Sequence, residues 1–261
     1  MRNFLSLLKK DITALIRTKK LLIMLVMLVL FAMESPIIAA LTPKILKSMG
    51  EEYAAITSAI PDPTAIDAFA QFSKNITQIV LLVMIAMFSS ILVKEKVKGT
   101  YSILKMNGVR LKEYLLSHIC SQVIIFTLSY LVAVMFFIIY TIVLFNKMPQ
   151  HSFFSLMCLY LFMLVFIVLI NVVSHFSKST TMSMVASFSC YFGLLFLTMF
   201  EKLNQYLPIK LTEYATSVLD GQLDLKHWET VLANVGLIVL LLCIGLFFKK
   251  DRINNRSDSV L

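Results

Sequence analysis

The chain has 261 residues, of which 59% are hydrophobic and only 15% are charged, and its net charge is +9. Soluble domains usually hold about 45–50% apolar and about 25% charged residues, so this composition excludes a soluble protein. The apolar residues form runs of roughly 18 or more, the length of a membrane-spanning helix, without the short alternating segments of a membrane barrel. We therefore expect an all-α integral membrane protein.

The first twenty residues predict an amphipathic helix. Apolar residues recur there at steps of three and four, while basic and polar residues take the opposite side. The apolar side comprises Phe4, Leu5, Leu8, Ile12, Leu15 and Ile16, and the polar side comprises Lys9, Lys10, Thr13 and Arg17. We expect this helix to lie in the membrane interface, with its cations toward the headgroups.

The first span is predicted at residues 21–41, with Glu34 and Pro36 past its middle. An ionisable side chain inside a span is costly and by default indicates a function, in a translocation path or in pairing with another helix. If the span ends early, Glu34 lies instead at the outer interface.

Five further apolar runs predict a total of six spans. The other spans are residues 75–93, 119–145, 152–173, 181–200 and 228–248. The polar segments 42–73 and 201–227 are expected on the outer side, each with one short helix, at 51–60 and 211–219. Pro43 and Pro61 are expected to break the helix at either end of the first of these short helices.

The segment 93–118 interrupts the apolar pattern with six cations and two anions. Gly99-Thr100 and Asn107-Gly108 are typical of helix ends, helix starts and turns. The segment therefore predicts a helix end, a short amphipathic helix at about 101–106, a turn, and a new helix that begins near Leu111.

The distribution of positive charge predicts the orientation. With the N-terminus inside, the cytoplasmic pieces contain 17 of the 24 Lys and Arg residues. This bias places both termini in the cytoplasm, including a tail at 249–261, with six spans between them. The net charge is then explained by one face of the lipid bilayer, and no nucleic acid is expected as a partner.

No catalytic motif is present in the sequence. It lacks a G-x-x-x-x-G-K-S/T phosphate loop, a G-x-S-x-G elbow and a pair of histidines at a metal-binding spacing. We expect neither an enzyme nor a bound metal or cofactor. Polar residues within spans, such as Glu34 and Asn171, are possible members of a substrate path or contacts between helices. The sequon Asn75-Ile76-Thr77 stands at the mouth of a span, which disfavours glycosylation.

The segment 93–118 resembles the permeases of the ABC-2 exporter family. In that family the loop between spans two and three carries an E-(R/K)-x-x-G-T-x-x-x-L pattern, followed by a short coupling helix. The corresponding residues are Glu95, Lys96, Gly99, Thr100 and Leu104. A proline and a lysine are usual in the family where this chain has Gly108 and His118, so the turn and the entry to span three differ.

The resemblance covers the whole chain as a single permease domain, including the N-terminal helix and the inward termini. It implies the permease subunit of an ATP-driven exporter in the cell membrane, most simply a bacterial plasma membrane. A second permease subunit and separate ABC ATP-binding subunits, which carry the ATP and Mg²⁺, are the implied partners. The residues implied in coupling to the ATPase are Glu95, Gly99, Thr100, Tyr101, Ile103, Leu104, Met106, Asn107 and Gly108.

The sequence leaves two points open. Glu95 is expected to form local ion pairs, or to reach the ATPase or the amphipathic N-terminal helix. A different class of function, a non-transporting membrane sensor or scaffold whose basic loop binds a regulator, is the alternative. A generic basic loop on the cytoplasmic side would explain the cations but not the Gly-Thr helix restart or the Asn-Gly turn.

Overall fold

A computed structural model describes residues 2–48, 62–221 and 223–247. Regular structure in these ranges is helical. The helices are α1 (Arg2–Arg17), α2 (Lys20–Ser48), α3 (Ala65–Asn75), a π-helical turn (Ile76–Val80), α4 (Leu81–Val97), α5 (Thr100–Met106), α6 (Leu111–Phe145), α7 (Ser152–Phe176), α8 (Thr180–Leu197), α9 (Glu201–Asn204), α10 (Pro208–Ser217) and α11 (Leu225–Phe247).

Six helical stretches within the described residues are long and apolar enough to cross a bilayer. They are Lys20–Thr42, Ala65–Val97, Leu111–Phe145, Ser152–Phe176, Thr180–Leu197 and Leu225–Phe247. The prediction of an all-helical protein with six spans is confirmed.

Two spans begin at least two helical turns earlier than the apolar runs predict. The second starts at Ala65, because the Asp67 carboxylate accepts a 2.8 Å hydrogen bond from the Thr64 N–H and so caps a helix ahead of the apolar run. The third starts at Leu111, since the helix predicted near that residue continues without a break into the span. The helices of the second and third spans therefore begin outside the apolar runs that would cross the hydrocarbon layer.

The first span also differs from its predicted end. Helix α2 continues through Pro36 and Pro43 to Ser48, although a proline removes one helical hydrogen bond. Packing of α2 along α3 and α6 holds this helix together. The predicted helix at 51–60 and the tail at 249–261 lie outside the described residues.

Contacts between distant segments define two ends of the bundle. At one end, Lys10 of α1 contacts Glu95, and Lys112 lies 4.2 Å from the centre of the Phe247 ring. At the other end, Phe154 packs against Trp228, with ring centroids 5.3 Å apart. We call these the Glu95 end and the Trp228 end. Helix α1 and the C-terminal end of α11 thus lie at the same end, as an even number of spans requires.

Helix α7 is the most buried of the six spans. It packs against α4, α6, α8, α10 and α11. In its interior, Asn171 and Gln122 of α6 exchange two amide hydrogen bonds of 2.7 and 3.1 Å. This reciprocal pair satisfies polar groups that would otherwise be costly inside an apolar bundle.

Candidate coupling site at the Glu95 end

The coupling segment, residues 93–118, begins where α4 ends. After Val97, the chain turns at Gly99, whose φ of +75° lies in the left-handed region that glycine adopts without a steric penalty. Helix α5 follows immediately at Thr100. The predicted helix stop and restart at Gly99-Thr100 therefore corresponds to a tight turn between two helices.

Helix α5 ends in a Schellman motif. The Val109 N–H donates to the Leu104 carbonyl at 3.1 Å, and the Gly108 N–H donates to the Lys105 carbonyl at 3.0 Å. Gly108 has a φ of +81°, as this motif requires. The predicted Asn107-Gly108 turn is present, and it fixes the direction in which the chain enters α6.

The two sides of α5 have different surroundings. Tyr101 and Leu104 face the bundle, where the Tyr101 ring lies 4.9 Å from that of Tyr114. Ile103 and Met106 face outward, with 61% and 88% of their surfaces exposed. Of the four apolar residues that the resemblance implies in coupling, two therefore anchor α5 to the bundle and two are exposed.

Glu95 lies at the centre of a group of six polar side chains, which we call the Glu95 cluster: Lys10, Asp11, Glu95, Tyr114, Ser117 and His118. Lys10 Nζ lies 3.1 and 3.0 Å from the two carboxylate oxygens of Glu95. The Tyr114 hydroxyl donates to Glu95 Oε2 at 3.1 Å, and His118 Nε2 lies 3.2 Å from the same atom. Glu95 thus joins α1, α4 and α6, and the expectation that it could reach the N-terminal helix is confirmed.

Asp11 is a second carboxylate of this cluster, and the sequence interpretation overlooked it. Its side chain is 2% exposed, accepts a hydrogen bond from the Ser117 hydroxyl, and lies 3.8 Å from His118 Nδ1. The signal available in the sequence was weak: Asp11 stands four residues after Leu7 and four before Leu15, and the structure buries all three. An acid in such a stripe indicates a helix face that packs on a polar partner.

Lys10 connects the two acids electrostatically. Its Nζ lies 3.0 Å from Asp11 Oδ1 and 3.0 Å from Glu95 Oε2. Burial would lower the pKa of Lys10, but the attraction of Asp11 and Glu95 outweighs burial and raises this pKa above the ordinary value of 10.5. Lys10 is therefore a permanent cation at any physiological pH.

Oxygen and nitrogen atoms of Asp11, Glu95 and His118 all lie within 4.8 Å of one another, a spacing that could in principle hold a divalent cation. However, the Lys10 ammonium already lies between the two carboxylates at ion-pair distance. The chemistry that the cluster performs here is the joining of three helices through charged hydrogen bonds.

Lys96 anchors the same turn in another direction. Its Nζ donates to the main-chain carbonyl of His175 at 2.5 Å, near the C-terminal end of α7. This carbonyl is among the last in α7, where cations are favoured. Consecutive residues, Glu95 and Lys96, therefore fasten the end of α4 to α1 and α6 on one side and to α7 on the other.

The two residues predicted as possible members of a substrate path have contrasting positions. Asn171 is 1% exposed, and its amide pairs with Gln122 and with the Ile167 carbonyl. Glu34 is partly exposed and borders a groove on the outer surface of α2. Asn75 of the sequon is buried and donates to Ser35 at 3.1 Å, so no glycan could be attached to it in this conformation.

Fold and site together define a polytopic helical membrane protein with an anchored amphipathic helix between its second and third spans. The sequence matches the family described as ABC-2 family transporter protein over residues 5–252. The chain belongs to this family, and it is the membrane component of an ABC transporter. A comparison with curated proteins found no significant match.

Proposed function

We propose that this chain is the permease subunit of an ATP-driven exporter, and that α5 is the helix through which a separate ABC ATP-binding subunit acts on it. The observation that carries the proposal is the division of α5 into two sides. Ile103 and Met106 offer exposed apolar surface for a groove on a partner, while Tyr101 and Leu104 attach the helix to the bundle.

The surroundings of α5 support the transmission of a rigid movement. A lever needs fixed connections at both ends, and α5 has Gly99 in the turn before it and the Schellman motif after it. Force on α5 would reach α4 through the turn at Gly99 and α6 through Val109. The Glu95 cluster and Lys96 then carry it to α1 and α7.

The remaining assignments follow from this proposal and from the family. The Glu95 end faces the cytoplasm, with both termini on that side, because the excess of cations lies there. ATP and Mg²⁺ bind on the partner subunit, and this chain holds no cofactor and has no enzymatic activity of its own. Two permease subunits pair in the plasma membrane, and export is the direction of transport.

The test uses the double variant Ile103→Ser and Met106→Ser, with Lys105→Ser, at another exposed position of α5, as the control. The full-length permease is co-purified with a candidate ABC ATP-binding subunit from the same organism. We expect the double variant to bind this subunit at least about tenfold more weakly, because about 1.4 kcal/mol of apolar burial is lost at the contact.

The Lys105→Ser control should bind the ATP-binding subunit like the unmodified chain. Thermal unfolding of each permease alone should be unchanged, since the substituted side chains are exposed. Equal binding of the double variant and the control would overturn the assignment of α5. A chain that binds no ATP-binding subunit at all would instead favour the sensor or scaffold function.

A further inference from the structure

An apolar groove runs along the outward surface of α2 and ends at Glu34. It has a volume of about 670 Å³, and all its lining side chains come from α2. They are Leu22, Ile23, Val26, Met27, Leu30, Phe31 and Glu34. The lining therefore contains one carboxylate, no cation, and otherwise apolar surface.

Glu34 has no neutralising partner among the described residues. No side chain there forms an ion pair or a hydrogen bond with its carboxylate. Glu34 stands 14 positions after Lys20, which is about 21 Å along a helix axis. The stretch of α2 that is long and apolar enough to cross a bilayer is Lys20–Thr42, so Glu34 stands past the middle of this span, in the half nearer the Trp228 end, where an unpaired charge is costly.

Next to Glu34, the side of α2 that faces α3 is held in place by a buried hydrogen bond. The adjacent residue, Ser35, is buried and accepts the hydrogen bond from Asn75 at the end of α3. The π-helical turn Ile76–Val80 begins at the next residue, and such turns occur frequently at functional sites. Glu34 is therefore presented outward from a fixed position on the helix.

We propose that this groove is a binding site for amphipathic cations. The apolar body of such a ligand would lie along the groove between Leu22 and Phe31, and its cationic group would pair with Glu34. An acid bordered by apolar surface favours this class over anions, because a cation restores neutrality where water is scarce. The inference deepens the proposed function, and rests on it in taking this ligand class as the substrate of the exporter.

Charge also argues against a second copy of this chain as the occupant. In a two-fold interface the same surface is used on both subunits. If α2 packed on the same helix of a second copy in this way, the two Glu34 carboxylates would lie at the same depth, without a cation from the groove lining. A cationic ligand removes the unfavourable charge, whereas the symmetric contact would double it.

The test measures binding of tetraphenylphosphonium to the full-length chain in phosphatidylcholine nanodiscs by equilibrium dialysis, with empty nanodiscs subtracted. Tetraphenylborate is the matched probe of the same shape and opposite charge. We expect saturable binding of the phosphonium alone, weakened about tenfold or more by Glu34→Gln, because the ligand charge loses its partner. Glu34→Asp, which keeps the charge, should retain most of the binding.

Two further variants separate the contributions of charge and shape. Leu30→Trp should weaken phosphonium binding by filling the groove, although Glu34 is unchanged. Glu229→Gln, which removes an exposed carboxylate on α11 outside the groove, should have no effect. Size-exclusion profiles show whether each variant is folded.

Three results would overturn the proposal: no saturable phosphonium binding, equal binding by Glu34→Gln and the unmodified chain, or efficient disulfide cross-linking of two Leu30→Cys chains through this face. Because the assay contains no ATP-binding subunit, its outcome is independent of the test of α5. A chain that binds the cation but not the ATP-binding subunit would contradict the proposed function while the groove assignment stands.

Discussion

Glu95 and Glu34 both belong to helices of the membrane-spanning bundle, but their surroundings differ. Glu95 lies among Lys10, Tyr114 and His118, each within 3.2 Å of its carboxylate oxygens. Glu34 borders an apolar groove, and no described residue pairs with it. The same functional group is therefore part of the internal framework at one position and open to an external ligand at the other.

The role of a carboxylate in a membrane protein depends on the side chains that form hydrogen bonds or ion pairs with it. Donors that converge on Glu95 join three helices, so a change there alters how the helices are held. Glu34 borders the groove on the outward surface of α2 and has no hydrogen bond or ion pair with a described side chain, so a change there should leave the packing of α2 unaffected. Substitutions at the two positions should therefore separate stability from ligand binding.

The largest expected effect is a difference in stability between variants of Glu95 and variants of Glu34. Glu95→Ala should lower the free energy of unfolding by about 3 kcal/mol, since it leaves the buried Tyr114 and His118 groups without their acceptor and Lys10 with Asp11 as its only acid. Glu34→Ala is the matched variant and should change stability little. Thermal unfolding of both purified variants measures this difference, and similar melting temperatures would contradict the contrast drawn between the two sites.

An intermediate effect is expected at the uncharged pair inside the bundle. Gln122→Leu should cost about 2 kcal/mol, because the buried Asn171 amide then lacks its reciprocal partner. The double variant Gln122→Leu and Asn171→Leu should recover part of this loss, since it leaves no unpaired amide. Denaturant unfolding of the two variants provides the comparison. A double variant less stable than Gln122→Leu would show that the pair has a further role, such as in a substrate path.

The smallest effect is expected from removing one of the partners of Glu95. Lys10→Met should cost about 1 kcal/mol, because Lys10 is partly exposed, Tyr114 and His118 still contact Glu95, and the Ser117 hydroxyl still donates to Asp11. The pKa of Lys10 is raised in the folded protein, so its contribution is complete below the unfolded pKa and is lost only as the pH rises through the folded one.

The difference in stability between Lys10→Met and the unmodified chain should therefore be the same at neutral and at mildly alkaline pH, and should shrink only in strong alkali. Melting temperatures of both proteins across this pH range test the assignment. A difference that disappears near neutral pH would mean that Lys10 is not the cation that holds Glu95.

Much of the fold could be predicted, because its strongest signals are local or periodic. The apolar runs indicated six spans, and glycine at 99 and 108 marked positions where the backbone adopts a positive φ. The starts of the second and third spans were less accurate, since polar residues such as Asp67 and Glu113 begin helices outside the apolar runs. Hydropathy locates the hydrocarbon-crossing part of a helix and not its end.

The candidate site was predicted in part. Glu95 was singled out because it is an acid among lysines, but its partners Lys10 and His118 are 85 and 23 residues away in sequence. Asp11 was overlooked, because one acid in an amphipathic helix has the pattern of a solvent-facing residue. Periodicity also could not assign Tyr101 and Ile103 to different sides of α5, since both are apolar and the helix has only seven residues.

The sequence by itself determined the class of protein, the number of spans and the place of the helix between spans two and three, because hydrophobicity, charge and glycine act locally along the chain. Only the tertiary structure decided which of two similar carboxylates is enclosed and which is open. That distinction depends on the distances between α1, α4 and α6 and on the absence of a neighbour beside the described face of α2, and helix packing sets both.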